Sequence, residues 1–440
     1  MNLFLVSALF APKRVARLDA GYLPSPSQTV IYEANLRTFA PGHAFAELRA
    51  RLPVIHSLGV NVIWLMPIQP VGKLRSAGGL GSPYAVADYD AVNPEFGNFA
   101  DFRRLVAEAH RLRMALIIDW VANHTAWDHP WITAHPDWYV HGADGKISIP
   151  KGTNWNDVAQ LDYTKPVVWT AMTDAMRSWI SRYDIDGFRC DTADWVRADF
   201  WKQAVTALRS TSKRPILMLA EGYRADHYDS GFDLTYAWHF YDRLVDIFKG
   251  GKALSLAGAV ADEARGVPAS ARRLRFTSNH DKSAWEGTAL DFFHSPDGER
   301  TAFLLAACYG GTPLIYEGQE VEWSKRIPLF DDSKIDWGTG ADARTWMTTL
   351  LQLRREHSAL REGQVTDLST DDVVAFSRRG TGEEAIVLAN VRGRGATLDV
   401  PALAELGWRE AFSGEVARHS ASVVLPPYGR RVYIRQSATR

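Results

Sequence analysis

Cysteine is scarce in this chain: only Cys190 and Cys308 occur among its 440 residues. Two cysteines cannot build a disulfide framework or a cysteine-rich metal site, and their wide separation suits buried thiols at least as well as one bridge. The chain also lacks any unbroken apolar run of about 18 residues, which a membrane-spanning helix requires. We therefore expect a soluble protein whose fold does not depend on disulfides.

The chain also has no excess of positive or negative charge. It contains 50 lysines and arginines and 51 aspartates and glutamates, so the formal net charge is −1. No basic block interrupts this balance, which argues against nucleic acid or an anionic membrane as a partner. The sequence also lacks internal repeats and low-complexity segments, which excludes solenoid and propeller folds.

The start of the chain does not have the order of charges that a signal peptide has. Residues 1–11 are apolar, but Lys13 and Arg14 follow them, whereas a signal peptide carries its positive charge before the apolar region. We treat residues 1–28 as an N-terminal arm and expect a cytoplasmic rather than a secreted protein.

Aromatic residues are plentiful, with 16 tryptophans, 15 tyrosines and 19 phenylalanines. Their flat faces cover the C–H surfaces of sugar rings as well as they fill protein cores. The length of 440 residues predicts one large domain with one or two smaller ones.

Short apolar runs alternate with longer stretches of helical periodicity, which is typical of βαβ units. Eight runs have strand composition: residues 29–32, 60–65, 114–118, 187–190, 216–220, 232–234, 274–277 and 313–316. Eight such units predict an α/β fold, a (β/α)₈ TIM barrel built from residues 29–124 and 166–360.

Two further segments depart from the barrel pattern. Periodicity disappears in residues 125–165, which we expect to form a short inserted domain B after the third strand. Residues 361–440 contain short alternating runs separated by glycine turns, which predict a C-terminal all-β sandwich, domain C.

Three carboxylates follow predicted strands of the barrel. Asp191 follows the fourth strand, Glu221 the fifth and Asp281 the seventh, so all three should meet at the mouth where barrel active sites lie. A single one would be read as a turn or helix cap, but several like charges in one mouth drive their pKa values apart, as acid and base catalysis needs. Arg189 shares a strand face with Asp191 and can keep it ionised as a nucleophile.

Seven segments together resemble the α-amylase family of retaining glycoside hydrolases, glycoside hydrolase family 13. The sequences DWVANH (119–124), DGFRCDTA (186–193), LAEG (219–222) and FTSNHD (276–281) resemble the family's four signature regions, in order. GVNVIWLMP (59–67), QLDY (160–163) and GTPLIYEGQE (311–320) resemble three further family motifs. The resemblance runs from residue 29 to about residue 360.

The resemblance implies roles for individual residues. Asp191 would be the nucleophile, Glu221 the general acid and base, and Asp281 the carboxylate that holds sugar hydroxyls and stabilises the transition state. Asp119, His124, Arg189 and His280 would line the central sugar subsite, and Tyr84 would be its stacking platform. Other residues we expect to be structural: Glu33 and Glu317 in the barrel, and Trp127, Trp131, Trp138 and Trp155 as the core of the inserted segment.

The chain also departs from the family pattern. Many members carry a Lys-His pair where the leaving-group sugar binds, but this chain has Asp194 and Trp195 there. This departure argues against a standard endo-acting starch α-amylase. Asn123 has no cluster of aspartates near it, so we expect no metal site and no required cofactor, although the resemblance leaves a structural Ca²⁺ open.

We interpret the sequence as an α-glucoside hydrolase that cleaves α-1,4-glucosidic bonds of maltooligosaccharides or starch-like glucans. The alternative on the same bonds is a transglycosylase or isomerase, for example of the glucanotransferase or trehalose synthase type. A different alternative is a catalytically inactive sugar-binding or partner subunit, which would have no reason to keep Asp191, Glu221, Asp281 and Arg189 together.

Overall fold

The structure is a computed structural model that describes residues 23–417 and 420–436. Most of the expected N-terminal arm therefore lies outside the described residues. In chain order the strands are β1 (Ile31–Ala34), β2 (Val62–Leu65), β3 (Ala115–Trp120), β4 (His124–Ala126), β5 (Val158–Gln160), β6 (Gly187–Cys190), β7 (Leu217–Ala220), β8 (Leu234–Tyr236), β9 (Arg272–Arg275), β10 (Thr312–Tyr316), β11 (Gln364–Asp367), β12 (Val373–Arg379), β13 (Glu383–Asn390), β14 (Ala396–Asp399), β15 (Arg409–Glu410), β16 (Ser422–Leu425) and β17 (Arg430–Gln436).

The α-helices surround the barrel or connect its parts. They are α1 (Ala44–Ser57), α2 (Phe99–Arg111), α3 (Pro130–Ala134), α4 (Pro166–Tyr183), α5 (Ala198–Thr211), α6 (Asp226–Asp229), α7 (Trp238–Phe248), α8 (Ser255–Glu263), α9 (Ala289–Phe293), α10 (Pro296–Cys308), α11 (Ala341–Glu356) and α12 (Ala359–Glu362). Short 3₁₀ turns and one π-helical turn, Lys282–Glu286, join them.

Eight parallel strands close into a barrel in the order β1, β2, β3, β6, β7, β8, β9, β10 and back to β1. These strands are short and nearly all their residues are buried, as expected for parallel strands that have a core on one side and helices on the other. The predicted (β/α)₈ barrel is therefore confirmed.

Three barrel strands lie two residues away from their predicted positions. β1 and β8 begin later than predicted because their hydrogen-bonded ladders with the neighbouring strands begin at Ile31 and Leu234. β9 begins earlier, and Arg272, Arg273 and Arg275 make up most of it. Arginine reads as solvent-exposed in a sequence, but here Arg273 and Arg275 are only 7% and 5% exposed.

The helices follow from their local sequence. Helix α2 begins with a capping box, in which Asn98 accepts from the N–H of Asp101 and the Asp101 side chain accepts from the N–H of Asn98. Its predicted apolar stripe, which includes Phe102 and Leu105, is buried against the barrel.

The inserted segment, residues 125–165, has little regular structure. Strands β4 and β5 pair antiparallel, and the short helix α3 lies between them in sequence. Aromatic rings pack beside these strands: Trp131 contacts Trp138 with ring centroids 5.2 Å apart, and Tyr89 at 5.3 Å. Tyr89 is part of the barrel core, so the insert is attached to the barrel by aromatic contacts.

The C-terminal domain consists of two antiparallel sheets. Strands β11, β12, β13, β17 and β15 form one, and β14 and β16 form the other. Side chains from both sheets, among them Ile386, Leu398 and Leu425, share one buried core. The sequence analysis did not predict the short strands β11 and β15, because their residues are mostly polar and exposed.

The described residues bear on two expectations, one about the cysteines and one about membrane-spanning helices. Cys190 and Cys308 are free thiols, and both are buried. No helix in the described part of the chain is long and apolar enough to cross a membrane.

Candidate active site

A cavity of about 200 Å³ lies at the carboxyl ends of the barrel strands. Its lining residues are Ser82, Tyr84, His124, Trp155, Asp157, Val158, Asp191, Thr192, Glu221, His280, Asp281, Trp285, Leu329 and Phe330. The three carboxylates singled out in the sequence, Asp191, Glu221 and Asp281, are therefore brought together. Asp191 and Glu221 directly follow β6 and β7, whereas Asp281 is six residues past β9, at the start of the π-helical turn.

One guanidinium group, that of Arg189, lies among the carboxylates. Its Nη1 donates to Asp119 Oδ1 at 2.8 Å and to Asp191 Oδ1 at 2.9 Å. Its Nη2 lies 2.9 Å from Glu221 Oε1, an ion pair without hydrogen-bond geometry. Burial alone would lower the pKa of Arg189, but the charges of Asp119 and Glu221 outweigh it and raise that pKa well above its ordinary value. Arg189 is thus a permanent cation shared by three carboxylates.

Of the carboxyl groups around Arg189, Glu221 is the one whose protonated form is favoured near neutral pH. Burial raises the pKa of Glu221 to about 8, against the opposing effect of Arg189, and the negative charges of Asp191 and Asp281 add to the rise. Asp191 receives two hydrogen bonds, one from Arg189 and one from Thr192 Oγ1 at 3.1 Å. Near neutral pH, Glu221 therefore favours its protonated form next to Asp191, which accepts from a cation and from a hydroxyl.

Thr192 touches both of these carboxylates. Its backbone N–H donates to Glu221 Oε2 at 2.7 Å, while its hydroxyl donates to Asp191. The backbone of Thr192 has φ 39° and ψ 43°, the left-handed conformation that β-branched residues rarely adopt. Such strain is concentrated at functional sites, where surrounding contacts hold it in place.

Two residues expected to line the sugar subsite are fully buried next to the cavity. Asp119 and Arg189 are both 0% exposed and are not among the lining residues. Asp119 accepts from Arg189, from Tyr84 Oη at 3.1 Å and from Trp64 Nε1 at 3.3 Å. Both residues contact side chains that line the cavity, Arg189 through Asp191 and Asp119 through Tyr84.

His280 lies at one side of the cavity between two acidic groups. Its Nδ1 donates to Glu33 Oε1 at 2.5 Å, and its Nε2 lies 2.8 Å from Tyr84 Oη and 3.4 Å from Asp281 Oδ2. Burial lowers the pKa of His280, but Asp281 and Glu33 more than offset this and raise it to about 9. The expectation that Glu33 is structural did not include this contact, through which Glu33 adds to the effect of Asp281 on the pKa of His280.

Replacing Glu33 with glutamine should lower the pKa of His280 by at least about one unit, because the adjacent carboxylate charge is removed while burial remains. The charge of Arg189 also opposes protonation of His280, and among the described residues Asp281 then remains as the carboxylate in contact with the ring. NMR titration of the His280 ring measures the change. E299Q is the matched control, since Glu299 is a buried carboxyl bonded to Gln319 rather than to a histidine. An unchanged His280 pKa in E33Q would contradict the assignment.

His124, the second predicted histidine, has the opposite charge state. It is 2% exposed, and burial lowers its pKa, so the ring is neutral at pH 7. Its Nδ1 lies 3.1 Å from the Asn123 amide nitrogen, and its ring meets Trp155 edge to face at 5.7 Å. A neutral imidazole and a charged one thus flank the same cavity.

Trp155 was expected in the core of the inserted segment, and it does pack against the buried Ala126 and Val158 of that segment, but it also has a second surrounding. Its ring lines the cavity and stacks on Trp195 at 5.1 Å, with 16° between the planes. The antiparallel pairing of β4 with β5 carries the Trp155 segment back over the barrel mouth, which residue spacing does not reveal. Trp195 is 49% exposed, so one face of this aromatic pair is open to solvent.

Sequence reasoning missed two other aromatic residues of the cavity. Trp285, 54% exposed, is carried by the π-helical turn that begins after Asp281, so its closeness to a signature region could have drawn attention to it. Phe330 lies in the long loop after β10 and packs against Trp285 at 5.3 Å, and no local pattern marks it.

The described residues do not assemble a recognisable metal site. Within residues 23–417 and 420–436, no group of three or more His, Cys, Asp and Glu side chains could hold a metal ion. Asn123, which sequence reasoning considered as a calcium ligand, directs its amide nitrogen to His124. This donor set is not the oxygen-rich one that Ca²⁺ prefers.

The chain is similar in sequence to known proteins. A family profile described as the α-amylase catalytic domain matches residues 46–363. The α-amylase MalA of Haloarcula japonica is 27% identical over 400 residues, which cover 85% of this chain and 57% of that protein. The α-1,4-glucan:maltose-1-phosphate maltosyltransferase of Rhodospirillum rubrum is 26% identical over 425 residues, which cover 86% of this chain and 59% of that protein. The chain thus spans less than three fifths of the length of these curated relatives.

A solved structure resembles the chain over almost its whole length. The α-amylase of Lactobacillus plantarum is 28% identical and superposes with a TM-score of 0.83, covering 93% of this chain and 99% of that one. The barrel, the insert and the C-terminal sheets thus occur together in a known protein of similar size.

Proposed function

The chain belongs to the α-amylase family, and on this premise we propose that it is a retaining glycoside hydrolase acting on α-1,4-glucosidic bonds of maltooligosaccharides. The observation that carries the proposal is the pair Asp191 and Glu221. Both contact Arg189, and the raised pKa of Glu221 favours a proton on that member of the pair. Retaining hydrolysis needs such a pair, with one ionised carboxylate and one acid about 5 to 5.5 Å apart across the anomeric carbon.

In the proposed first step, a carboxylate oxygen of Asp191 bonds to the anomeric carbon while the bond to the leaving-group oxygen breaks. The proton of Glu221 passes to that oxygen, so the leaving sugar departs as a neutral alcohol. In the second step, water attacks the same carbon, Glu221 takes its proton, and the bond to Asp191 breaks. Two displacements restore the original α configuration.

The surrounding groups support this chemistry through positioning and charge. Arg189 and Thr192 keep Asp191 ionised and oriented, through the hydrogen bonds described above. We propose that Asp281 and the charged His280 hold hydroxyls of the sugar beside the nucleophile and that Tyr84 lies against its ring. All three line the cavity, and His280 contacts each of the other two.

The aromatic walls support a carbohydrate substrate longer than one sugar. Trp155 and Trp285 line the cavity together with the catalytic pair, and flat indole faces match the apolar faces of pyranose rings. We expect sugars to stack on them on either side of the bond that is cut. The neutral charge of such substrates agrees with the balanced charge of the chain.

A transferase is the second candidate, and one observation favours it. The stacked pair Trp155 and Trp195 lies near Asp191, and the open face of Trp195 offers an acceptor sugar a platform that competes with water. The maltosyltransferase among the relatives is consistent with this alternative.

Incubation with maltoheptaose, followed by analysis of product lengths, tests the proposal. Hydrolysis gives only shorter chains, whereas transfer also gives chains longer than seven sugars. The W195A variant should shift the products further toward hydrolysis if the indole holds an acceptor. A protein that binds maltoheptaose and leaves its length unchanged would contradict both enzymatic proposals.

Chelation tests the proposal that no metal is required. Prolonged treatment with EDTA should leave activity within a small factor of the untreated protein, because the described residues offer no carboxylate-rich cation site. Thermal unfolding should also be unchanged. Joint loss of activity and stability that added Ca²⁺ restores would show that the protein holds a calcium ion.

A further inference from the structure

A second cavity, of about 350 Å³, lies near the amino-terminal ends of β9 and β10, whereas the active site lies at the carboxyl ends of the barrel strands. The loop before β9, the Tyr309–Gly311 turn before β10, and residues 361–365 and 378 of the C-terminal region line it. It therefore lies where the barrel meets the C-terminal sheets. Five arginines contribute to its lining: Arg272, Arg273, Arg275, Arg361 and Arg378.

Three of these arginines are deeply buried, and most of their partners are uncharged. Arg273 donates to the carbonyl oxygens of Glu263 and Tyr236 and to the Thr235 hydroxyl. Arg378 donates to two carbonyl oxygens, those of Ala359 and Cys308. Such partners satisfy the N–H groups but leave the positive charge uncompensated, which is costly in a buried place.

The remaining charged residues that line the cavity do little to balance the positive charge of the buried arginines. Arg272 and Arg361, at the rim, donate to backbone carbonyls. The carboxylate of Glu263 pairs with Arg275 at 3.3 Å and accepts from the N–H of Phe240, and Glu362, which also lines the cavity, accepts from Ser27. Five guanidinium groups thus share a cavity with two carboxylates.

Arg275 is the least satisfied of the five. It is 5% exposed, and its Nε and Nη1 have no hydrogen-bond partner, while its guanidinium lies 4.1 Å from the centre of the Phe240 ring. Burial lowers the pKa of Arg275, and it lowers that of Arg378 to about 10, an effect to which neighbouring arginines add. A negative charge in the cavity would offset this cost for all five groups at once.

The chain keeps space open beside these arginines. Gly311 has φ +110°, and a side-chain Cβ there would come within 2.9 Å of Arg275 Nε and 2.6 Å of the Arg273 carbonyl oxygen. A larger residue would therefore press on the arginine cluster. The overall charge of the chain is −1, so this concentration of positive charge is local and does not reflect a basic composition.

We propose that this cavity binds a small phosphate-bearing anion. A phosphate group accepts several hydrogen bonds at once, and the planar guanidinium is suited to donate two of them to one phosphate. The bound anion would join the loop before β9 to the C-terminal domain and so stabilise their contact. The site is separate from the proposed catalytic function and does not depend on it.

Thermal unfolding and calorimetric titration of the full chain with inorganic phosphate test the proposal. We expect a saturable rise in Tm with phosphate and none with chloride at the same ionic strength. The double variant R272Q/R361Q should bind phosphate at least tenfold more weakly. These rim residues are chosen because they are only half-buried, so the variant is expected to fold, and its activity on maltoheptaose checks this.

The variant R265Q is the matched control. Arg265 lies on the same loop and pairs with Asp262, but its side chain is 78% exposed and it does not line the cavity. It should leave phosphate affinity unchanged. Equal stabilisation by chloride, no saturable binding, or full binding by R272Q/R361Q would overturn the proposal.

Two further ligands distinguish a phosphomonoester from free phosphate as the anion that the cavity binds. Glucose 6-phosphate and adenosine monophosphate carry the same dianion on larger bodies. Binding tighter than that of inorganic phosphate would assign the cavity to a phosphomonoester. Weaker or absent binding of both would assign it to free phosphate.

Discussion

Replacing Glu221 with glutamine is expected to lower turnover of maltooligosaccharides by on the order of 10² to 10⁴-fold, the usual contribution of a general acid. The amide retains the shape of the side chain, and its oxygen can still accept from the Thr192 N–H, but it has no acidic proton to give to a poor leaving group. Binding of maltoheptaose, measured by calorimetry, should remain. Activated aryl glycosides should suffer less, because their leaving groups depart without protonation.

The pH profile gives an independent check on Glu221. Since its pKa is raised to about 8, the acid is protonated below this value, and kcat/KM should fall as pH rises through about 8. In E221Q this alkaline limb should be absent from the remaining activity. E299Q, which changes another buried carboxyl outside the cavity, serves as the control. A loss in E221Q of no more than about tenfold, or roughly 1.4 kcal/mol of barrier, would exclude Glu221 as proton donor.

Replacing Asp191 with alanine should reduce turnover further, by on the order of 10⁴-fold or more, because it removes the carboxylate proposed to form the covalent intermediate. Arg189 would keep Asp119 and Glu221 as partners, so the fold should tolerate the change. Azide, a small anion, can enter the space that the side chain leaves. With an activated α-glycoside, it should restore turnover and give a β-glycosyl azide, the product of a single displacement.

Product stereochemistry from the unmodified protein completes this test. Proton NMR during the first turnovers, before mutarotation, should show the α-anomer at the newly formed reducing end. An initial β-anomer would mean a single displacement by water and would remove Asp191 as nucleophile. The D194N variant is a useful companion, since Asp194 lies on the same loop but accepts from His227 and from the N–H of Tyr223.

Much of the fold follows from patterns that are local in sequence. A short apolar run followed by a polar residue marks both a buried parallel strand and its carboxyl end, so the barrel and the positions of Asp191 and Glu221 could be read together. The two-residue errors at β1, β8 and β9 have one cause. Hydrogen-bond register is set by neighbouring strands, whereas hydrophobicity only marks which stretch is buried.

The sequence by itself therefore determined the barrel, the family motifs and the identity of three acidic groups, because each depends on residues within a few positions of one another. Only the tertiary structure decided how those groups are charged and what surrounds them. Glu33 and His280 are 247 positions apart, yet their contact helps to raise the pKa of the ring. Trp155 reaches the cavity through strand pairing, and arginines from the barrel and the C-terminal domain converge on one cavity. Burial and Coulomb interactions act through space, and spacing along the chain does not encode them.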